Sequence, residues 1–276
     1  MNFKKASIAI LFFVLVMTLT VFSLKKITQN YQVIKIEEPS NAPVAINSIV
    51  SNKVKNYLKN KNIETNLPPE QLQELYWVER IKEGGLILLF RHSERAKWND
   101  SVEGFDTYEL KNKLDARNFS WKKATCLTEK GIEESKLVSE SFKHAKIKIG
   151  KVISSPSCRA RETALYAFGK IDEIYTGLLH YSAFHHLDKE KISIQLRKSI
   201  LAEQISKGTN LILSAHNKVI SHEGFIDTML VDEGLNETGF YIIEKTNNQL
   251  VVPFKFKKIK NFIVLLYRHD FEKIIK

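Results

Sequence analysis

The chain has 276 residues, of which 43% are hydrophobic and 26% charged, enough for one substantial core with appendages but not for two full domains. Its 42 Lys and Arg against 31 Asp and Glu give a formal charge of +11, which suits an anionic membrane surface, nucleic acid or a phosphorylated substrate. The lysines are scattered, without aromatics interleaved in a basic stripe, and this sets nucleic acid aside. Cys126 and Cys158 are too few for a disulfide framework, and no Cys/His cluster has the spacing of structural zinc. A single bridge between the two in an oxidising compartment stays open.

In chain order, "MNFKK" precedes an uncharged apolar stretch of 19 residues, Ala6 to Leu24, followed by Lys25 and Lys26. At ~1.5 Å per residue that stretch matches the ~30 Å hydrocarbon layer. Residues 1–26 therefore read as an N-terminal membrane helix, with a cleaved signal segment as the alternative, since Val21 and Ser23 offer only a weak cleavage site. The rest of the chain is then expected outside the inner membrane, in a periplasmic space, anchored or released. No Cys follows the apolar run to carry a lipid. Residues 27–83 read as a tether and lead-in helices. The last of these helices starts at Pro68 and Pro69, carries Leu72, Leu75, Tyr76 and Val78 at near-helical spacing, and stops at Gly84 and Gly85. From 84 to 276, strands alternate with helical segments, which predicts a three-layer α/β/α domain on a mostly parallel central sheet. At its end, "GFYIIEK", "TNNQ" and "LVVPFKFKKI" read as a hairpin and "NFIVLLY" as a further strand.

Three apolar strands of this domain end in residues suited to an oxyanion. "LILLF" runs into "RHSER", with Arg91, His92 and Glu94; "KVISSPSCRARETA" places Arg159 just inside a helix; "LILSAHNK" ends in His216 and Asn217. Ligands of an open parallel sheet sit at the carboxyl ends of its strands, so the three blocks face one crevice if the strands pair. Planar guanidinium forks match phosphoryl oxygens bidentately, which suits Arg91 and Arg159. The helix N-terminus beside Arg159 adds backbone donors, and Asn217 is counted with the phosphate ligands. A neutral imidazole is a competent nucleophile, and a second one binds or balances charge. The expected chemistry is attack of His92 on phosphorus and release of phosphate by water, with no metal and no cofactor. A lone Arg-His pair after an apolar run is weak evidence, since "NFIVLLYRHD" places Arg268 and His269 the same way. The signal is the ordered series "RHSER", "LTEKG", "SSPSCRARETA", "SAHN".

That series resembles the histidine phosphatase superfamily, whose fold is phosphoglycerate-mutase-like, over roughly Gly85 to Lys258. The resemblance implies that His92 is the phosphorylated nucleophile and that Arg91, Arg159 and His216 form the phosphate pocket. Within the superfamily, "LLFRHSER" and "LILSAHN" look most like the bacterial lipopolysaccharide core heptose phosphatase branch, envelope proteins with an N-terminal hydrophobic segment. Three departures stand out. Ser93 occupies a position where the family usually has Gly. Asn217 stands where the acid phosphatases of the family carry Asp, and His180 where many members carry Glu. The proton donor is therefore unassigned. Glu94 is the first candidate, although an ion pair with Arg95 or Arg159 is the commoner role for such a glutamate; His180, His185 and His186 follow it.

The remaining marked residues read as structural. Thr128 fits a helix N-cap with Gly131 tolerated in the first turn, and Cys158 fits a small buried residue better than a redox switch. Asp100, Glu103 and Asp106 fit a solvated acidic loop at the substrate mouth. The expected partner is a phosphorylated small molecule or glycolipid, with the membrane reached through the N-terminal segment. Two other readings use the same residues: a phosphohistidine phosphatase acting on proteins, and a non-catalytic envelope protein that binds phosphate without turnover.

Overall fold

The computed structural model describes residues 52–63, 66–96, 125–180, 188–217, 219–220, 224–229, 231 and 234–275. The apolar segment from Ala6 to Leu24, the acidic stretch with Asp100, Glu103 and Asp106, and His185 and His186 lie outside them. Among the described residues, no helix is long and apolar enough to cross a membrane.

The elements in chain order are α1 (Asn52–Asn60), α2 (Pro69–Glu83), β1 (Ile87–Arg91), α3 (Glu129–His144), β2 (Ile149–Ser154), α4 (Cys158–Phe168) and β3 (Glu173–Ile174). A 3-10 turn (Thr176–Leu178), α5 (Lys189–Ala202), β4 (Asn210–Ala215), β5 (Thr228–Met229), β6 (Phe240–Thr246), β7 (Gln249–Phe256) and α6 (Ile259–Ile275) complete the set. One seven-stranded sheet runs in the order β3-β2-β4-β1-β6-β7-β5. The β3-β2-β4-β1 half is parallel throughout, and β6 joins β1 antiparallel. Ile87, Leu88, Leu89 and Phe90 of β1 are all fully buried, as a strand covered on both faces requires. Alternate residues feed two cores: Leu88 and Phe90 pack with apolar residues of α1 to α4 and α6 on one face, and Ile87 and Leu89 with Leu196 and Ile200 of α5 on the other. This is the expected α/β arrangement with a mostly parallel sheet. The lead-in helices share this core: Leu58 of α1 and Leu72, Val78 and Ile81 of α2 pack into it.

The hairpin forms as read, with Asn247 at φ 48° and Asn248 at φ 62° between β6 and β7; Asn tolerates that left-handed conformation in two-residue turns. "NFIVLLY" is not a strand. It lies inside α6, where Ile259, Phe262, Ile263 and Leu266 are buried and Val264 is 44% exposed. A short apolar run carries no decisive period by itself, and the i, i+3, i+4, i+7 spacing of the buried set is helical. Arg268 and His269 therefore sit on a helix and not beyond a strand.

The register sets the three strand ends level. Arg91 pairs with Ala215 across β1 and β4, and Ser154 pairs with Ser214 across β2 and β4. His92, Ser155 and His216 therefore emerge side by side on one edge. α3 is fixed against this edge: Thr128 caps it, accepting from the Gly131 backbone N–H at 3.1 Å, and the Thr128 N–H donates to the Glu94 carbonyl at 3.1 Å. Gly131 is required here, because any Cβ would collide with that Glu94 carbonyl. The two cysteines form a disulfide with a sequence separation of 32, so Cys158 is not a simple buried thiol; it covalently ties the first residue of α4 to the approach to α3. The neighbouring Leu127 N–H donates to Glu162 of α4 at 2.7 Å.

Two stability effects follow. Closing a segment of separation 32 restrains the unfolded chain by about 3–4 kcal/mol, so Cys126→Ser with Cys158→Ser should lower folding stability by that order in urea titrations. Gly131→Ala should cost about 1–3 kcal/mol in the same assay through forced displacement at Glu94.

Candidate active site

Each functional side chain stands at a strand end or a helix start, where the backbone fixes its origin. His92 follows β1, is 4% exposed, and donates from Nδ1 to its neighbour's carbonyl, Ser93 O, at 2.9 Å. A carbonyl can only accept, so Nδ1 carries the proton and the neutral ring presents a bare Nε2 lone pair. Burial, followed by the positive fields of Arg159, Arg91 and Arg95, holds the His92 pKa well below the usual imidazole range. Ser93 is itself pinned: its N–H donates to Thr163 Oγ1 of α4 at 2.9 Å, and its hydroxyl lies 2.7 Å from that of Ser135 on α3. The carbonyl that selects the His92 tautomer is thus held from two helices.

His216 follows β4, and its ring centroid lies 5.3 Å from that of His92. Arg159 Nη2 donates to His216 Nδ1 at 3.2 Å. A guanidinium has no acceptor, so Nδ1 is bare and Nε2 carries the hydrogen, directed at the hydroxyls of Ser155 and Ser157, each 3.1 Å away. Burial first, then Arg159 and the flanking His92, His180 and Arg91, push the His216 pKa well down. Both central rings are therefore neutral at neutral pH, and the local positive charge belongs to the arginines.

Arg159, 2% exposed in the first turn of α4, and Arg91 at the end of β1 both act electrostatically on this pair. Arg91 Nη1 donates to Leu235 O at 2.6 Å, Nη2 lies 3.7 Å from Glu237, and the buried Nε has no hydrogen-bond partner among the described residues. Burial lowers the Arg91 pKa. His180, just beyond the 3-10 turn and half-buried, brings its ring to 6.0 Å from that of His216. Arg91, His92, Arg159, His216 and His180 are thus one constellation. Two neutral imidazoles, one with an unprotonated Nε2 and the other locked by a guanidinium, beside buried Arg159 and part-buried Arg91, suit attack on the phosphorus of a phosphomonoester and stabilisation of its spread charge.

One expected role changes and another gains a structural part. Glu94 pairs with neither Arg95 nor Arg159: its carboxylate accepts from Lys130 and, at 3.0 Å, from Thr128 Oγ1. Those bonds lower its pKa, so Glu94 is an ionised anchor for α3 and is poorly suited to hold a proton as general acid. Asn217 Oδ1 accepts from the Leu235 N–H at 2.8 Å; through Leu235 it holds the backbone that receives Arg91, and only its Nδ2 amide could donate to a phosphoryl oxygen. Sequence reading missed Glu237, which reaches Arg91 from a turn after β5 and belongs to no motif. It also missed the use of Ser155 and Ser157, although both stand in the "SSPS" it singled out. The one metal-compatible group among the described residues, Cys126, Cys158 and Glu162, has its two sulfurs joined to each other.

Among curated proteins, none matches this sequence. Among solved structures, the chain is similar to the protein histidine phosphatase SixA complexed with tungstate, at 14% identity over 62% of this chain and 96% of that one, with a TM-score of 0.42. It is also similar to a phosphoserine phosphatase from Entamoeba histolytica in complex with 3-phosphoglyceric acid, at 16% identity over 63% and 97% of the two chains and a TM-score of 0.39. For the alpha-ribazole phosphatase from Shigella flexneri the values are 13%, 60%, 94% and 0.38. Likeness of that degree carries no argument about chemistry. The sequence itself matches the model of the histidine phosphatase superfamily, branch 1, over residues 87–176, the span that holds both the His92 and the Arg159 blocks.

Proposed function

We propose that this protein is a phosphoric monoester hydrolase acting through phospho-His92. The observation that carries the reading is the Nδ1–H bond from His92 to Ser93 O, which leaves Nε2 unprotonated near His216, buried Arg159 and part-buried Arg91. In the first step Nε2 bonds to phosphorus and the ester oxygen leaves; in the second, water takes the phosphoryl group and the imidazole is restored. Arg159 and Arg91 hold the phosphoryl oxygens, and His216, neutral and fixed by Arg159, donates or balances charge from Nε2.

The finer reading is a membrane-tethered, extracytoplasmic enzyme. The apolar segment from Ala6 to Leu24 supports the tether, and the Cys126–Cys158 disulfide supports an oxidising compartment. The branch resemblance of "LLFRHSER" and "LILSAHN" directs the substrate search first to heptose phosphates of the lipopolysaccharide core and then to other envelope phosphomonoesters.

His92→Ala should reduce kcat on an aryl phosphate at least about 10⁴-fold while leaving the urea midpoint nearly unchanged; comparable turnover would remove His92 from the mechanism. Since the folded His92 pKa is depressed, the acid limb of kcat/KM set by this ring should fall below the ordinary imidazole value of about 6.5. The same depression at His92 and His216 means that the unfolded chain binds protons that the folded one does not. Stability present above about pH 6.5 should therefore be lost as pH falls, which urea titrations at pH 7.5 and 5.5 would register.

A further inference from the structure

Transfer of a phosphoryl group from an alkyl ester requires a proton for the departing oxygen, and neither Glu94 nor Asn217 is placed to give one. The turn from 234 to 239 brings another carboxyl group, that of Glu237, to Arg91. Its backbone is stitched to the nucleophile strand: the Thr238 N–H donates to His92 O at 3.1 Å, and the Arg91 N–H donates to Gly239 O at 2.9 Å. Across the same turn, the Gly239 N–H donates to Asn236 O at 3.0 Å and the Asn236 N–H to Lys257 O at 3.0 Å. Gly239 admits no side chain, because a Cβ would collide with the Lys257 and Phe256 carbonyls.

Thr238 is held at φ 65°, a conformation that β-branched residues avoid. It persists because its hydroxyl, fully buried, donates to Glu134 on α3 at 2.8 Å. Strain of this kind is found where the surroundings over-determine a functional position. The residue it positions is Glu237, whose carboxyl lies 3.7 Å from Arg91 Nη2. Arg91 Nη1 is committed to Leu235 O, so a phosphoryl group on Arg91 is left Nε and Nη2, and Nη2 is the one that Glu237 faces.

Given the phosphatase reading of this site, on which the inference rests, we propose that Glu237 is the proton donor to the leaving-group oxygen. In the first step the His92 Nε2–P bond forms, the P–O ester bond breaks, and the Glu237 proton passes to the departing alkoxide. In the second step water attacks phosphorus, gives its proton to the Glu237 carboxylate, and the N–P bond breaks to release phosphate. Burial already raises the Glu237 pKa against the opposing fields of Arg91 and Arg95. The groups around it are Arg91 of β1, Arg95 and Glu94 beyond it, and Glu134 and Lys130 of α3. A phosphoryl dianion arriving on Arg91 adds like charge, which favours the protonated carboxyl that a donor needs.

The test is leaving-group dependence. Glu237→Gln should lower kcat/KM on an alkyl ester such as glycerol phosphate by ~10²-fold or more. Its loss on p-nitrophenyl phosphate, whose leaving group needs little protonation, should be at least about tenfold smaller, with the difference in kcat and not in KM. Glu237→Asp, which keeps the acid, should recover part of the alkyl-ester rate. Equal losses by Glu237→Gln on both esters would make the residue structural and overturn the proposal. So would selective loss on the alkyl ester by His180→Gln and not by Glu237→Gln. Hydrolysis of neither ester by the unaltered protein, or hydrolysis untouched by His92→Ala, would instead bring down the phosphatase reading itself.

Discussion

Keeping a buried imidazole neutral and oriented among arginines is the constraint that shapes this molecule. The Nδ1–H bond from His92 to Ser93 O resolves it by fixing the tautomer, and burial with Arg159, Arg91 and Arg95 keeps the ring from protonating. A protonated ring would lose its nucleophilic lone pair; a ring of the other tautomer would direct an N–H at phosphorus. The structure therefore invests in one carbonyl. Ser93 is tied to Thr163 on α4 and Ser135 on α3, and α3 is seated by Thr128, Gly131 and the Glu94–Lys130 pair. Serine at position 93, a departure from the expected glycine, adds the hydroxyl that makes the contact with Ser135.

The same economy governs the second ring. Arg159 both supplies charge and forces the His216 tautomer, so that Nε2–H faces the two serine hydroxyls that precede α4. Cys158, immediately before Arg159, is covalently joined to Cys126, and Glu162 one turn later receives the Leu127 N–H. The helix start that carries Arg159 is thus fastened to the approach to α3 by a covalent bond and a hydrogen bond. Opposite them, the turn from 234 to 239 bonds to the backbone of Arg91 and His92, and Asn217 holds it from the end of β4.

Much of this arrangement was legible from residues alone because strand ends announce themselves. "LILLF", "KVIS" and "LILSA" are apolar runs that stop at polar residues, and a parallel sheet places such ends on one edge. The Thr128 cap and the Asn-Asn hairpin turn were legible for the same reason: local chemistry specifies local backbone. What escaped depends on packing between distant segments. "NFIVLLY" has no period of its own, and only its burial pattern in α6 distinguishes helix from strand. The partner of Glu94 could not be chosen between three cations without knowing that Lys130 lies on α3 beside it. Glu237 belongs to an irregular turn, and its approach to Arg91 arises from hydrogen bonds across a sequence separation of more than 140 residues, like that of Arg91 to Leu235. No motif encodes such a contact.

The claim that orders all of this is a statement about one nitrogen atom. Rapid acid- or base-quench of the enzyme with a turning-over phosphomonoester, followed by peptide mapping and phosphorus NMR, locates the phosphoryl group on the ring. The account predicts a single phosphorylated imidazole, His92, substituted at Nε2. Phosphate on Nδ1, on His216, or on no side chain at all would contradict it.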